Sequence, residues 1–277
     1  MAKSPASIHV MESPPGAECT IDGRSYLYFG GTSYLGLHGH PEVIAAACEA
    51  TRRYGIHSAT SRSLYGNTPV LLAVERLAAE FFDLQGSFYF VSGYLSNAVL
   101  LQTLAPDFDV LFLDESAHYS VVEAAQAVRL PLVRFRPRDA EDLQRGLQQH
   151  LGPNQRPLVL TDGVSSSLGC VAPIDRYCRI LEQYDGAAIL VDDAHGMGTI
   201  GDHGRGTLDY LGLWSAAVND DPAAADRPRV RLYVGGTLSK ALGGFGRSAD
   251  RFKSLPVSRF QLVDFVCACH DRHYSTP

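Results

Sequence analysis

The chain lacks any apolar stretch of the roughly 18 residues that a membrane-spanning helix needs, so none is expected. It also lacks an excess of positive charge. Lys and Arg number 24 against 30 Asp and Glu, a formal net charge of −6, which opposes a nucleic-acid-binding surface. Cysteine is sparse. The six cysteines (Cys19, Cys48, Cys170, Cys178, Cys267 and Cys269) are scattered without the even framework of a disulfide-stapled domain, and residues 1–16 have no apolar core of a signal peptide. Reduced thiols in the cytoplasm are the expectation. There is no solenoid repeat and no low-complexity tract. What is present is 277 residues, 45% hydrophobic and 19% charged, the profile of a soluble enzyme with a sizeable core.

Short apolar runs rich in Val, Ile, Leu, Phe and Tyr alternate with longer segments of helical period, the pattern of repeated βαβ units. The spacing predicts strands over 87–91, 110–113, 132–135, 157–161, 187–191 and 230–234. Helices are predicted over 41–54, 69–83, 94–104, 120–128, 139–151 and 173–184. Most of the strand runs are continuously apolar, as strands covered on both faces must be. With right-handed crossovers the result is an α/β fold: a mostly parallel, doubly wound sheet with helices on both faces. Residues 219–228, polar and bounded by proline, read as a surface loop. The segment after Gly246 shows no clear rhythm of strand, turn and helix.

Ligands of such a sheet collect outside the carboxyl ends of its strands. Ser92-Gly93-Tyr94 follows the first run, and Asp114-Glu115-Ser116-Ala117-His118 the second. Asp162-Gly163-Val164-Ser165-Ser166 and Asp192-Asp193-Ala194-His195 follow two more. After 230–234 comes Gly235-Gly236-Thr237-Leu238-Ser239-Lys240. One lysine, a carboxylate and a helix start able to hold phosphate suggest pyridoxal phosphate. Lys240 is the candidate to form a Schiff base with the aldehyde, and Asp192 to keep the pyridine nitrogen protonated. The turn at Gly93 and Tyr94 presents backbone N–H groups to an anion, and Thr237 adds a hydroxyl.

The segments TSYLGLHGHPEV (32–43), TDGVSSSLG (161–169), LVDDAHGMGTIGDHGRG (190–206) and GGTLSKALGG (235–244) resemble those of the α-oxoamine synthases, a family within the fold-type I pyridoxal phosphate enzymes. The resemblance covers about residues 28–244. It implies the large-domain fold of these transferases, and pyridoxal 5'-phosphate as cofactor. The implied activity is acyl transfer: condensation of an amino acid with an acyl-CoA thioester, with decarboxylation. Residue by residue, Lys240 matches the lysine that becomes the acid/base at Cα. Asp192 matches the pyridine-nitrogen carboxylate, and His195 the histidine bonded to the cofactor's phenolic oxygen. His118 matches the imidazole stacked on the ring, Ser166 a serine near the phenolic oxygen, and Gly93, Tyr94 and Thr237 the phosphate contacts. A homodimer is implied, or a heterodimer with a homologue.

Two positions depart from the family pattern, Leu71 in place of a histidine and Leu168 in place of an acidic residue. The expected organisation is an N-terminal arm (1–27), a cofactor-binding large domain (28–246) and an atypical tail (247–277) where the family has a C-terminal lobe. Transamination by a related fold-type I enzyme, and a non-catalytic partner of a longer synthase, are the alternatives. Gly196 to Gly201 fits the GxGxxG pattern of dinucleotide-binding folds. Its glycines come after Asp-Asp-Ala-His instead of directly after the strand, which argues against that use. Cys267, Cys269, His270 and His273 have the residue types of a zinc site but not its spacing, so no metal is expected.

Overall fold

The computed structural model describes residues 8–84, 87–89, 92–218, 230–244 and 265–267. It opens on a hairpin of β1 (Glu18–Ile21) and β2 (Arg24–Leu27). The two linking residues, Asp22 and Gly23, have φ of 49° and 72°, the left-handed pair that a two-residue hairpin loop needs to match strand twist. Two helices follow, α1 (Pro41–Tyr54) and α2 (Pro69–Phe82). Both begin on a proline, whose fixed φ suits the first turn and whose missing N–H costs nothing there. The Thr68 hydroxyl caps α2 by accepting from the Leu71 N–H.

From there strand and helix alternate. The order is β3 (Phe88–Tyr89), α3 (Gly93–Leu104), β4 (Val110–Asp114), α4 (Tyr119–Ala127), β5 (Leu132–Phe135), α5 (Ala140–His150), β6 (Pro157–Asp162), α6 (Ile174–Leu181) and β7 (Ala188–Asp192). Two short helices, α7 (Thr207–Tyr210) and α8 (Trp214–Val218), precede β8 (Arg231–Gly236) and β9 (Phe265–Cys267). Seven strands form one sheet in the order β3-β9-β8-β7-β6-β4-β5. Five of them, β8 to β5, run parallel. Strand β9 is antiparallel to both β8 and β3.

The alternation of side chains along each strand divides the core between two faces. Leu111, Leu113, Leu158, Leu160 and Leu190 pack with α3 and α4. Phe112, Val159, Ile189 and Val191 pack with α2, α5 and α6 on the other side. Every residue of β4 and β6 is buried, and each such Leu or Val side chain contributes about 1.5–3 kcal/mol of hydrophobic stabilisation. The helix after β4 and the helix after β6 thus lie on opposite faces, although the strands are neighbours. That reversal opens a crevice at their carboxyl ends, where ligands of doubly wound sheets bind.

The expected α/β architecture is what the chain adopts. Strand 87–91 is described only at Phe88–Tyr89, and the loop at 219–228 lies outside the described residues. Strand β9 falls in the tail, where the sequence has no legible rhythm, and it adds to the sheet of the preceding segment. Gly196 to Gly201 forms turns, not a helix start.

Candidate active site

Asp192 ends β7. Its register partners are Asp162 on β6 and Gly235 on β8, so three strands bring their carboxyl ends to one level. Past β8, the chain turns through Thr237 and Ser239 to Lys240. On the other side, α3 starts at Gly93 and α4 is capped by His118. These meet around a cavity of about 330 Å³ lined by Ser92, Gly93, Tyr94, His118, Asp192, Thr237 and Lys240. The Ser92 side chain makes no capping bond, which leaves the first N–H groups of α3 for a ligand.

The cavity's polar groups are wired together. The Asp192 Oδ2 accepts from the Asn97 amide at 2.6 Å, and its Oδ1 from the Ala194 N–H at 3.0 Å. Asn97 gives its other proton to the Ser120 hydroxyl at 2.9 Å. That hydroxyl lies 2.8 Å from His118 Nδ1, which also accepts from the Ser120 N–H at 3.2 Å. Because Nδ1 accepts from the Ser120 N–H it carries no hydrogen, so the Ser120 hydroxyl also donates to it and the neutral ring has its proton on Nε2. One amide thereby fixes both the carboxylate and the imidazole.

Lys240 Nζ lies 2.9 Å from His195 Nε2, and His195 Nδ1 lies 2.6 Å from the Tyr34 hydroxyl. Burial, reinforced by the Lys240 charge, pulls His195 down to about 4. The ring is therefore neutral near pH 7 and accepts from the Lys240 ammonium. Asp162 is pushed up to about 7, first by burial and then by the charge of Asp192. Its Oδ1 accepts from the His118 N–H at 3.0 Å, while its Oδ2 is buried without a partner. Asp193 is pushed up to about 6 by burial, against the bonds it accepts from Thr207. It points away from the cavity, accepting from the Thr207 hydroxyl at 2.6 Å. A Cβ on Gly163, Gly196 or Gly206 would strike its carboxylate.

Of the residues singled out in the sequence, Gly93, Tyr94, His118, Asp192, Thr237 and Lys240 line one cavity. His195 joins them through Lys240. Thr237 is buried and its hydroxyl bonds Ser239. Ser166 does not line the cavity; it is exposed on the turn that follows β6. Asn97, Ser120, Tyr34 and Asp162 have no role legible in the sequence. Two of them carry a signal: Asn97, a polar side chain on an apolar helix, and Asp162, a carboxylate at a strand end. Cys269, His270 and His273 lie outside the described residues. Among the described residues no cluster of His, Cys, Asp and Glu is placed to hold a metal ion.

A doubly wound sheet that gathers a lysine, a carboxylate and an imidazole at its carboxyl edge defines a protein of the α/β class with a lysine-centred site. The chain belongs to the aminotransferase class I and II family, whose model matches residues 25–249. It is 37% identical over 236 residues to the 8-amino-7-oxononanoate synthase of Nitrosospira multiformis, an overlap of 85% of this chain and 55% of that protein. With the 8-amino-7-oxononanoate synthase of Geobacter sulfurreducens it shares 36% identity over 240 residues, 87% of this chain and 57% of the relative. Among solved structures, serine palmitoyltransferase from S. paucimobilis with a bound PLP–myriocin aldimine superposes with a TM-score of 0.77 at 30% identity. That match covers 95% of this chain and 58% of the other. The chain thus spans a little over half the length of these relatives.

Proposed function

We propose that this chain is the cofactor-binding part of a pyridoxal phosphate-dependent α-oxoamine synthase. The reaction joins Cα of an amino acid to the acyl carbon of an acyl-CoA thioester. The C–S bond breaks, and CoA and carbon dioxide leave. The observation that carries the reading is the convergence of Lys240, Asp192, His118 and the start of α3 on a single cavity.

The donor set fits the cofactor's chemistry. It offers an amine for the aldehyde, a carboxylate for the pyridine nitrogen, an imidazole for the ring face and free helix N–H groups for the phosphate. When bound, pyridoxal phosphate supplies an electron sink for the pair left at Cα. Lys240 would hold the aldehyde and then move the proton at Cα. Asp192, its plane fixed by Asn97 and Ala194, would be the partner of the pyridine nitrogen. His118, oriented by Ser120, would lie against the ring. Neutral His195 would serve the phenolic oxygen, and Gly93, Tyr94 and Thr237 would hold the phosphate.

Residues 28–246, with Phe265–Cys267 in the sheet, form the cofactor-binding domain in this reading, and residues 1–27 an arm. A dimer, with itself or with a homologue, is supported by the exposed apolar side chains Tyr94, Leu95 and Tyr119 beside the cavity. A cytoplasmic setting is supported by Cys19, Cys48, Cys170 and Cys178, which are free thiols. No helix among the described residues is long and apolar enough to cross a membrane.

Lys3, Lys240 and Lys253 are the chain's lysines, so mapping the reactive one is unambiguous. The test is borohydride reduction of the chain with pyridoxal phosphate, then peptide mapping. The adduct is expected on Lys240 and absent in Lys240→Ala; an adduct elsewhere, or none, overturns the proposal. Amino acid plus acyl-CoA, compared with amino acid plus keto acid, then separates acyl transfer from transamination.

A further inference from the structure

We infer that Tyr34 is a positioning residue for Lys240, acting through His195; the inference rests on the roles proposed for those two side chains. Segment 32–43 is one of the motifs that mark the chain, yet no residue of it lines the cavity. It reaches the lysine loop at two points instead. The Tyr34 hydroxyl lies 2.6 Å from His195 Nδ1, and His38 Nε2 lies 2.9 Å from the carbonyl of Ser239, the residue before Lys240. His38 is itself anchored, with Nδ1 2.7 Å from the Ser33 hydroxyl. The segment also packs closely on the end of the loop, where a Cβ at Gly243 would come within 2.6 Å of the Leu37 Cβ.

The geometry assigns the protons. A neutral imidazole has one N–H, and an ammonium only donates. His195 Nε2 must therefore present its lone pair to Lys240, and the ring proton sits on Nδ1, donated to the Tyr34 oxygen. Burial holds the Tyr34 phenol above its ordinary range, so it stays a neutral partner. The charged and titratable groups acting on His195 are Lys240, Asp192 and His118; none of them lies at hydrogen-bonding distance from Nδ1. Among the described residues, Tyr34 is the group that fixes the tautomer that lets His195 accept from Lys240.

Tyr34→Phe removes the acceptor and leaves the ring's shape in place. In the chain without cofactor at pH 7, ¹⁵N spectra of the imidazoles, with His195 assigned by comparison with His195→Gln, are expected to show one Nδ1–H tautomer in the wild type. The variant is expected to show a mixture. With Nε2 no longer held as an acceptor, the bond from the Lys240 ammonium to His195 is weakened. The pH profile for borohydride trapping of pyridoxal phosphate on Lys240 is then expected to move to lower pH, about a two- to ten-fold change in the amine fraction at pH 7. An unchanged tautomer with an unchanged profile overturns the inference, as does a drop in thermal stability alone. A wild-type chain that traps no adduct on Lys240 overturns the proposed function instead, and the imidazole spectra still decide the role of Tyr34.

Discussion

Asn97 concentrates more of the site's geometry than any residue that reacts in it. Buried on α3 at 2% exposure, it donates one proton to Asp192 and one to Ser120, and through Ser120 it orients His118. Replacing it with Ala leaves the Asp192 carboxylate with the Ala194 N–H and with Asp162 alongside. Bonds to charged groups are worth about 1.5–3 kcal/mol. Asn97→Ala is therefore expected to weaken pyridoxal phosphate binding by about ten-fold or more, measured by titrating the cofactor's absorbance. Asn97→Asp is expected to be worse, since it sets a like charge 2.6 Å from Asp192. Equal affinity in the wild type and Asn97→Ala would mean that Asp192 needs no orienting partner.

Among the elements, α5 shows how local chemistry and packing combine. Ala140, Leu143 and Leu147 are buried against the sheet, and Asp139 caps the helix by accepting from the Asp142 N–H at 2.9 Å. Asp139→Ala is expected to cost about 1 kcal/mol in urea denaturation, and Asp139→Asn less, because the amide oxygen still accepts. Elements of this kind were legible in the sequence, because the apolar period and the capping residue sit within the element itself. Strands β4 to β8 were legible for the same reason, as continuous apolar runs bounded by turn residues. Strand β9 was not, because only three residues pair and their partners on β3 and β8 are distant in the chain. The hairpin was overlooked although Asp22-Gly23 carries its turn chemistry. In the site, motif residues at strand ends could be found one by one. Their partners could not: Tyr34 meets His195 across 161 positions and Asn97 meets Asp192 across 95, and no local pattern encodes such distances.

At the scale of the molecule, the sheet that builds the site also gathers carboxylates under it. Asp114, Asp162 and Asp193 are buried at the carboxyl edge, near Asp192. Asp162 and Asp193 are raised to about 7 and about 6 in the folded chain, from ordinary values near 4. Between pH 4 and 7 the folded state therefore keeps protons that the unfolded chain releases, and stability falls as pH rises through that window. His195 acts in the opposite sense. Lowered to about 4, it stays neutral where the unfolded imidazole takes up a proton, so its contribution is lost as pH falls from about 6.5 towards 4. Asp162→Asn separates the two. The amide oxygen still accepts from the His118 N–H, while the charge beside Asp192 can no longer form. The variant's gain over wild type is expected to be larger at pH 8 than at pH 5 by about 2–3 kcal/mol, because the wild type is penalised by about one pKa unit at pH 5 and about three at pH 8, each unit being worth about 1.4 kcal/mol. Thermal melts of both proteins from pH 5 to 8 measure this difference. A shift of the same size at both ends would show that Asp162 holds no extra proton when folded. A gain that grows towards high pH would show that folding keeps Asp162 neutral, sparing Asp192 a like charge at the floor of the cavity.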